Sequence, residues 1–141
     1  MDGQQYIIFN IAGKSYGVEI SRVSSIERLE EVYQVPNTPE FIEGLVNLRG
    51  KVHTVFNLRK RLGLPKVELD ETTRIVMAYV GDIITGFIAD TVYEIVMISE
   101  DEIDRSPEAV KKAGIKFVSG LATKEENTYY ILNLDELLSI S

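Results

Sequence analysis

The chain has 141 residues, 45% of them apolar, with 15 basic and 22 acidic side chains and a formal net charge of −7. That length makes one domain, or two very small lobes sharing a core, and the apolar content is too high for a disordered chain. No cysteine is present, so disulfides and thiolate metal sites are excluded; no apolar run reaches the roughly 18 residues of a transmembrane helix; and the acidic balance repels nucleic acid unless the cations are segregated.

The start, Met1-Asp2-Gly3-Gln4-Gln5, lacks the basic and apolar regions of a secretory signal, so a cytoplasmic protein without membrane insertion is expected. Tyr6 to Ile11 and Lys14 to Ile20 read as a hairpin turning at Ala12-Gly13. Ser21 to Ile26 places Val23 and Ile26 at i and i+3, the spacing of a single helical turn, and residues 27 to 40, with Pro36 and Pro39, read as a loop. Phe41 to Arg49 and Lys51 to Asn57 form a second hairpin with Arg49-Gly50 at its tip, where a cation is presented to whatever lies outside the fold. Leu58 to Leu62 is a short helix stopped by Gly63 and Pro65. Its run Arg59-Lys60-Arg61 is too brief for a nucleic-acid groove and reads as a solvated face.

The pattern then recurs. Thr73 to Val80, Ile83 to Ala89 and Glu94 to Ile98 are strands, Pro107 to Lys112 a small helix, Phe117 to Thr123 with Thr128 to Leu132 a last hairpin, and Leu134 to Ile140 a terminal amphipathic helix. Setting Gly17 against Gly86 brings Ile7 onto Val76, Val18 onto Phe87, Val23 onto Val92 and Ile26 onto Ile95; setting Gly44 against Gly120 brings Leu45 onto Leu121, Asn57 onto Asn133 and Leu62 onto Leu138. Only the middle loop within each unit differs in length, by 7 residues. The chain therefore reads as a tandem pair of β-units, roughly 5–65 and 72–139, each of four or five short strands and too small to be stable apart, with strand exchange between them left open.

Catalysis needs a convergent set of titratable groups, and none is legible. His53, the single histidine, reads as a solvent-facing strand residue. Glu100-Asp101-Glu102 with Asp104 lacks the spacing of a calcium loop and reads as solvated. Nucleotide-binding and hydrolase motifs are missing, so neither enzyme activity nor a metal or other cofactor is expected. Tyr129-Tyr130 suggests base stacking, as on small barrels that bind single-stranded RNA, but neighbouring strand residues point to opposite faces, so core plus rim is the better reading.

Asn37-Thr38-Pro39-x-Phe41-Ile42-x-Gly44, Asn47-Leu48-Arg49-Gly50 and Val55-x-Asn57-Leu58-Arg59 together resemble the CheW adaptors of bacterial chemotaxis, and Tyr16-Gly17-Val18-x-Ile20-x-x-Val23 and Asn133-Leu134-x-x-Leu137-Leu138 extend the likeness. The resemblance implies a mainly β fold: two SH3-like five-stranded β-barrels around a common apolar core, with short helices including a C-terminal one. It also implies a non-catalytic scaffold coupling methyl-accepting chemoreceptors to the histidine kinase CheA. The receptor's cytoplasmic hairpin tip would dock through residues matching Val23, Gly44, Asn47 and Arg49, with Ile26 widening the apolar patch beside Val23. The regulatory domain of CheA would be the second partner, through residues the sequence leaves unassigned. Many members of that family carry an acid two positions after Val23; here that position is Ser25. The alternatives are an RNA-binding acidic β-barrel and an adaptor of a pilus-type array.

Overall fold

The computed structural model describes residues 3–139. Twelve strands and three short helices follow one another: β1 Gln4–Ile11, β2 Lys14–Glu19, β3 Val23–Arg28, β4 Val32–Tyr33, β5 Ile42–Leu48, β6 Lys51–Asn57, α1 Leu58–Arg61, β7 Arg74–Val80, β8 Ile83–Ala89, β9 Thr91–Ile98, β10 Ile103–Asp104, α2 Pro107–Ala113, β11 Val118–Lys124, β12 Asn127–Leu132 and α3 Leu134–Leu137. They build two six-stranded sheets, β10-β11-β12-β2-β1-β9 and β3-β7-β8-β6-β5-β4, and neither is closed into a ring by strand pairing. The chain is mainly β, as the sequence indicates, with six strands in each sheet rather than five.

Each half of the chain lends its first hairpin to the other half's sheet. The β1–β2 hairpin sits between β12, which it meets in parallel, and β9, which it meets antiparallel. The β7–β8 hairpin sits between β6, in parallel, and β3, antiparallel. β1, β7 and β8 carry long apolar runs because both their faces are covered. Along β1, Ile7, Phe9 and Ile11 enter a cluster between the sheets, while Tyr6 and Ile8 point into a second cluster with Ile98, Tyr129 and Ile131. Along β7, Val76 and Ala78 face the shared cluster, while Ile75 and Met77 face a third with Val46, Leu48 and Val55. The shared layer is aromatic, with Phe9 and Phe87 rings 5.2 Å apart and Phe41 stacked on Phe56 at 5.6 Å.

Several readings change. Residues 21–26 are not a helical turn: a 3₁₀ turn covers Ile20–Arg22 and β3 starts at Val23. The 27–40 loop is interrupted by the end of β3 and by β4. The terminal helix is four residues long where described, and Ile140 lies outside the described residues, as do Met1 and Asp2. The Arg59-Lys60-Arg61 run is not simply solvated. Arg59 donates to both carboxylate oxygens of Asp90, at 3.2 and 2.7 Å. Arg61 donates to the carbonyls of Glu136, Leu137 and Ser139 and lies over the rings of Phe41 and Phe117, at 4.2 and 4.7 Å. The cation thus gives the carbonyls at the end of α3 a charged donor.

Candidate functional site

Arg49 stands at the turn between β5 and β6, and the geometry of that turn explains its neighbours. Arg49 and Gly50 have φ of 52° and 84°, the pair of positive signs that a two-residue type I′ hairpin requires. The Asn47 side chain accepts a hydrogen bond from the Gly50 amide at 3.1 Å. The β1–β2 turn repeats the device, with Ala12 and Gly13 at φ 52° and 82° and Asn10 accepting from the Gly13 amide at 3.0 Å. Asn47 thus has a turn-building role that Asn10 performs with alanine at the tip. Gly44 has a backbone role too. Its φ is +149°, and a Cβ there would lie 2.3 Å from the Tyr33 carbonyl oxygen, so the close pairing of β4 on β5 needs glycine. At Gly120 the approach is also close, a Cβ there meeting the Ile103 side chain at 2.6 Å and the Asp104 carbonyl oxygen at 3.2 Å, but without the positive φ.

Arg49 answers to neither constraint. Its counterpart at the β11–β12 turn is Glu125, with φ of 50°. The Arg49 side chain is 71% exposed, and one end nitrogen donates to Glu27 at 2.9 Å. The bond with Arg49 holds the Glu27 carboxyl below its ordinary pKa, with Ser25 adding a smaller effect in the same direction. Sequence reasoning missed Glu27, since a two-residue turn shows nothing of the strand across the sheet.

Val23 and Ile26 do share a face, for a reason other than a helix. The pairing of β3 with β7 slips between Val23 and Ser25, so Val23 stands opposite Ala78 and Ile26 opposite Val76. Ser24 is the extra residue of a bulge, which restores i and i+3 to one side. Val23 is half-buried against the shared core, and Ile26 is 41% exposed. Ser25 and Glu27, opposite Met77 and Ile75, lie on the other face. The five expected docking residues therefore fall into three settings: an apolar face at Val23 and Ile26, a cation across the edge strand at Arg49, and two backbone formers at Gly44 and Asn47.

Beside Arg49 a cleft of about 290 Å³ is bordered by Ser24, Ser25, Lys51 and His53 over a floor of Leu48 and Met77. His53 is half-buried rather than solvent-facing, its Nδ1 at 3.2 Å from the Ile84 carbonyl oxygen. Away from this region the polar groups build turns. Glu102 accepts from the Ser99 amide at 2.9 Å, Glu100 pairs with Arg105, and Asp104 accepts from the Ser106 amide at 3.0 Å, so the acidic run is tied down more than a solvated loop would be. Tyr129 is buried, and Tyr130 packs on Tyr16 at 5.6 Å, which leaves no paired stacking surface for RNA bases. Among the described residues, no helix is long and apolar enough to cross a membrane.

A mixed surface of aliphatic and charged side chains on a rigid two-sheet frame defines a docking module rather than a reaction centre. The comparisons make that class specific. A family model described as CheW-like domain matches residues 5–141. The chain is 34% identical over 136 residues to the chemotaxis protein CheW of Bacillus subtilis, covering 96% of this chain and 87% of that one. It is 28% identical to the chemotaxis protein CheW of Klebsiella aerogenes, covering 97% and 82%. The crystal structure of the scaffolding protein TtCheW from Thermoanaerobacter tengcongensis superposes with a TM-score of 0.90 at 31% identity, over 99% of this chain and 94% of that one. The chain belongs to the CheW-like domain family, whose members are non-catalytic adaptors.

Proposed function

We propose that this chain is a cytoplasmic chemotaxis scaffold that couples methyl-accepting chemoreceptors to the histidine kinase CheA and joins membrane-receptor arrays through protein contacts alone. The family match across residues 5–141 carries the reading. On it, the chain is a single CheW-like domain of two repeated halves, and the two sheets, each wrapped on its own apolar cluster, act as SH3-like barrels.

In this reading the receptor's hairpin tip meets Val23, Ile26 and Arg49 directly. Gly44 and Asn47 serve the same surface indirectly, by shaping β5 and its turn. A helical partner that lays an aliphatic face on Val23 and Ile26 and reaches around edge strand β3 to Arg49 suits the arrangement. The regulatory domain of CheA takes another surface. The test is binding of the purified chain to a receptor hairpin fragment and to the CheA regulatory domain. Saturable binding to each is expected, and absence of both at tens of micromolar would overturn the proposal.

A further inference from the structure

Arg28 ends β3 and Arg74 begins β7, and the antiparallel register sets the two directly opposite each other. Like charges at such a cross-strand pair repel. Among the described residues no acid relieves them. Arg22, Arg49, Arg59 and Arg105 each pair with a carboxylate, and Arg61 serves the end of α3, but Arg28 and Arg74 pair with neither Asp nor Glu. Arg74 is steadied by backbone instead, its Nη1 donating to the carbonyls of Glu71 and Thr73 at 2.8 and 2.9 Å. Arg28 has no hydrogen-bond partner among the described residues. The duplicated frame does not require this arrangement. With Gly17 set against Gly86, Arg74 falls on Gln5 and Arg28 on Met97, and Gln5 stands opposite Met97 between β1 and β9. The same place in the other sheet is uncharged. Both arginines line a cleft of about 450 Å³ whose remaining wall is Glu71, Thr72, Thr91 and Val92. The Thr72 hydroxyl is committed to Asp70 and to the Asp90 carbonyl, whereas that of Thr91 has no partner among the described residues.

We infer that this cleft binds a small phosphate compound, inorganic phosphate or a phosphate monoester, through Arg28 and Arg74 with the Thr91 hydroxyl as a further donor. The inference stands apart from the docking reading and uses none of the residues assigned to it. Guanidinium groups match phosphate oxygens with paired N–H donors, and two of them offset the nearly two negative charges that a phosphate carries at neutral pH. One carboxylate would leave a positive charge uncompensated. The anchoring of Arg74 removes part of the ordering cost on binding, and the cleft volume lies in the range of small-molecule sites. Glu71 is exposed at the rim, so its charge opposes the anion and sets a direction that can be tested.

The experiment titrates the full chain, isotope-labelled, with inorganic phosphate and separately with glycerol phosphate, against sodium acetate and sodium chloride at the same ionic strength. The Arg28 and Arg74 Nε–H signals and the Thr91 amide are followed by NMR, and the melting temperature is measured alongside. A saturable shift and a higher melting temperature are expected with at least one of the two phosphates, and neither effect with acetate or chloride. Arg28→Met and Arg74→Gln install the residues that the other sheet carries. Each should weaken phosphate binding about ten-fold, the scale of one charge-assisted contact, while the melting temperature without phosphate stays the same or rises. Glu71→Gln should tighten binding. If neither phosphate moves the signals, if acetate or chloride moves them equally, or if the arginine variants respond like the wild type, the site is wrong. A fall of several degrees in the phosphate-free melting temperature of Arg28→Met would make the pair structural and would also overturn the inference.

Discussion

Arg49 and Glu125 occupy matching places at two turns with φ of 52° and 50°, yet one is a cation and the other an anion. The turn therefore does not demand arginine, and Arg49→Glu should leave the melting temperature within a few degrees while weakening receptor binding, because an exposed ion pair contributes little stability. A large drop in melting temperature would make Arg49 structural. Gly44→Ala should do the opposite, costing about 3 kcal/mol in chemical denaturation, since a Cβ cannot share space with the Tyr33 carbonyl. Tyr16 supplies a pH test. Burial first, and Tyr130 second, push its phenol from 10.0 up to about 12. A raised folded value means that its contribution is complete below 10 and is lost as the pH climbs through 12. Tyr16→Phe should therefore flatten the alkaline loss of stability; an unchanged alkaline limb would assign that loss to other groups.

At the scale of elements, α1 and α3 are two copies of one cap. Asn57 and Asn133 accept from the amides of Lys60 and Glu136, at 3.1 and 3.2 Å. Replacing either by alanine should cost about 1 kcal/mol by denaturant unfolding. Two ion pairs near these caps carry inverted charges. Arg59 on α1 donates to Asp90, whereas Asp135, in the matching place on α3, accepts from Arg22 at 2.7 Å. Asp90 also accepts from the Ala12 amide at 2.9 Å, so it ties the β1–β2 turn to the second sheet. The caps and hairpins were legible because turn chemistry and alternation are local. β3 was misread because a bulge and a helical turn give Val23 and Ile26 the same spacing. The roles of Arg59 and Arg61 were illegible, since their partners, Asp90, Phe117 and the end of α3, are distant in the chain.

At the scale of the whole molecule, the paired glycines and asparagines suggest a repeat, but they do not say which hairpin crosses to which sheet. That choice matters for stability. Because β1–β2 and β7–β8 are exchanged, neither half holds a complete sheet. The chain should unfold in one cooperative step, with near-ultraviolet and far-ultraviolet signals coincident, and a fragment ending before β7 should not fold alone. Two separate transitions would show that the halves are independent. The exchange also joins the two sheets into one body, which suits the proposed coupling of two partners. The most direct measurement is a ternary assembly of the purified chain with a receptor hairpin and the CheA regulatory domain, read by sedimentation. All three components should cosediment, and Arg49→Glu should lose the receptor while keeping the kinase domain. A chain that binds neither, or binds them only in mutually exclusive fashion, would contradict its role as a coupler.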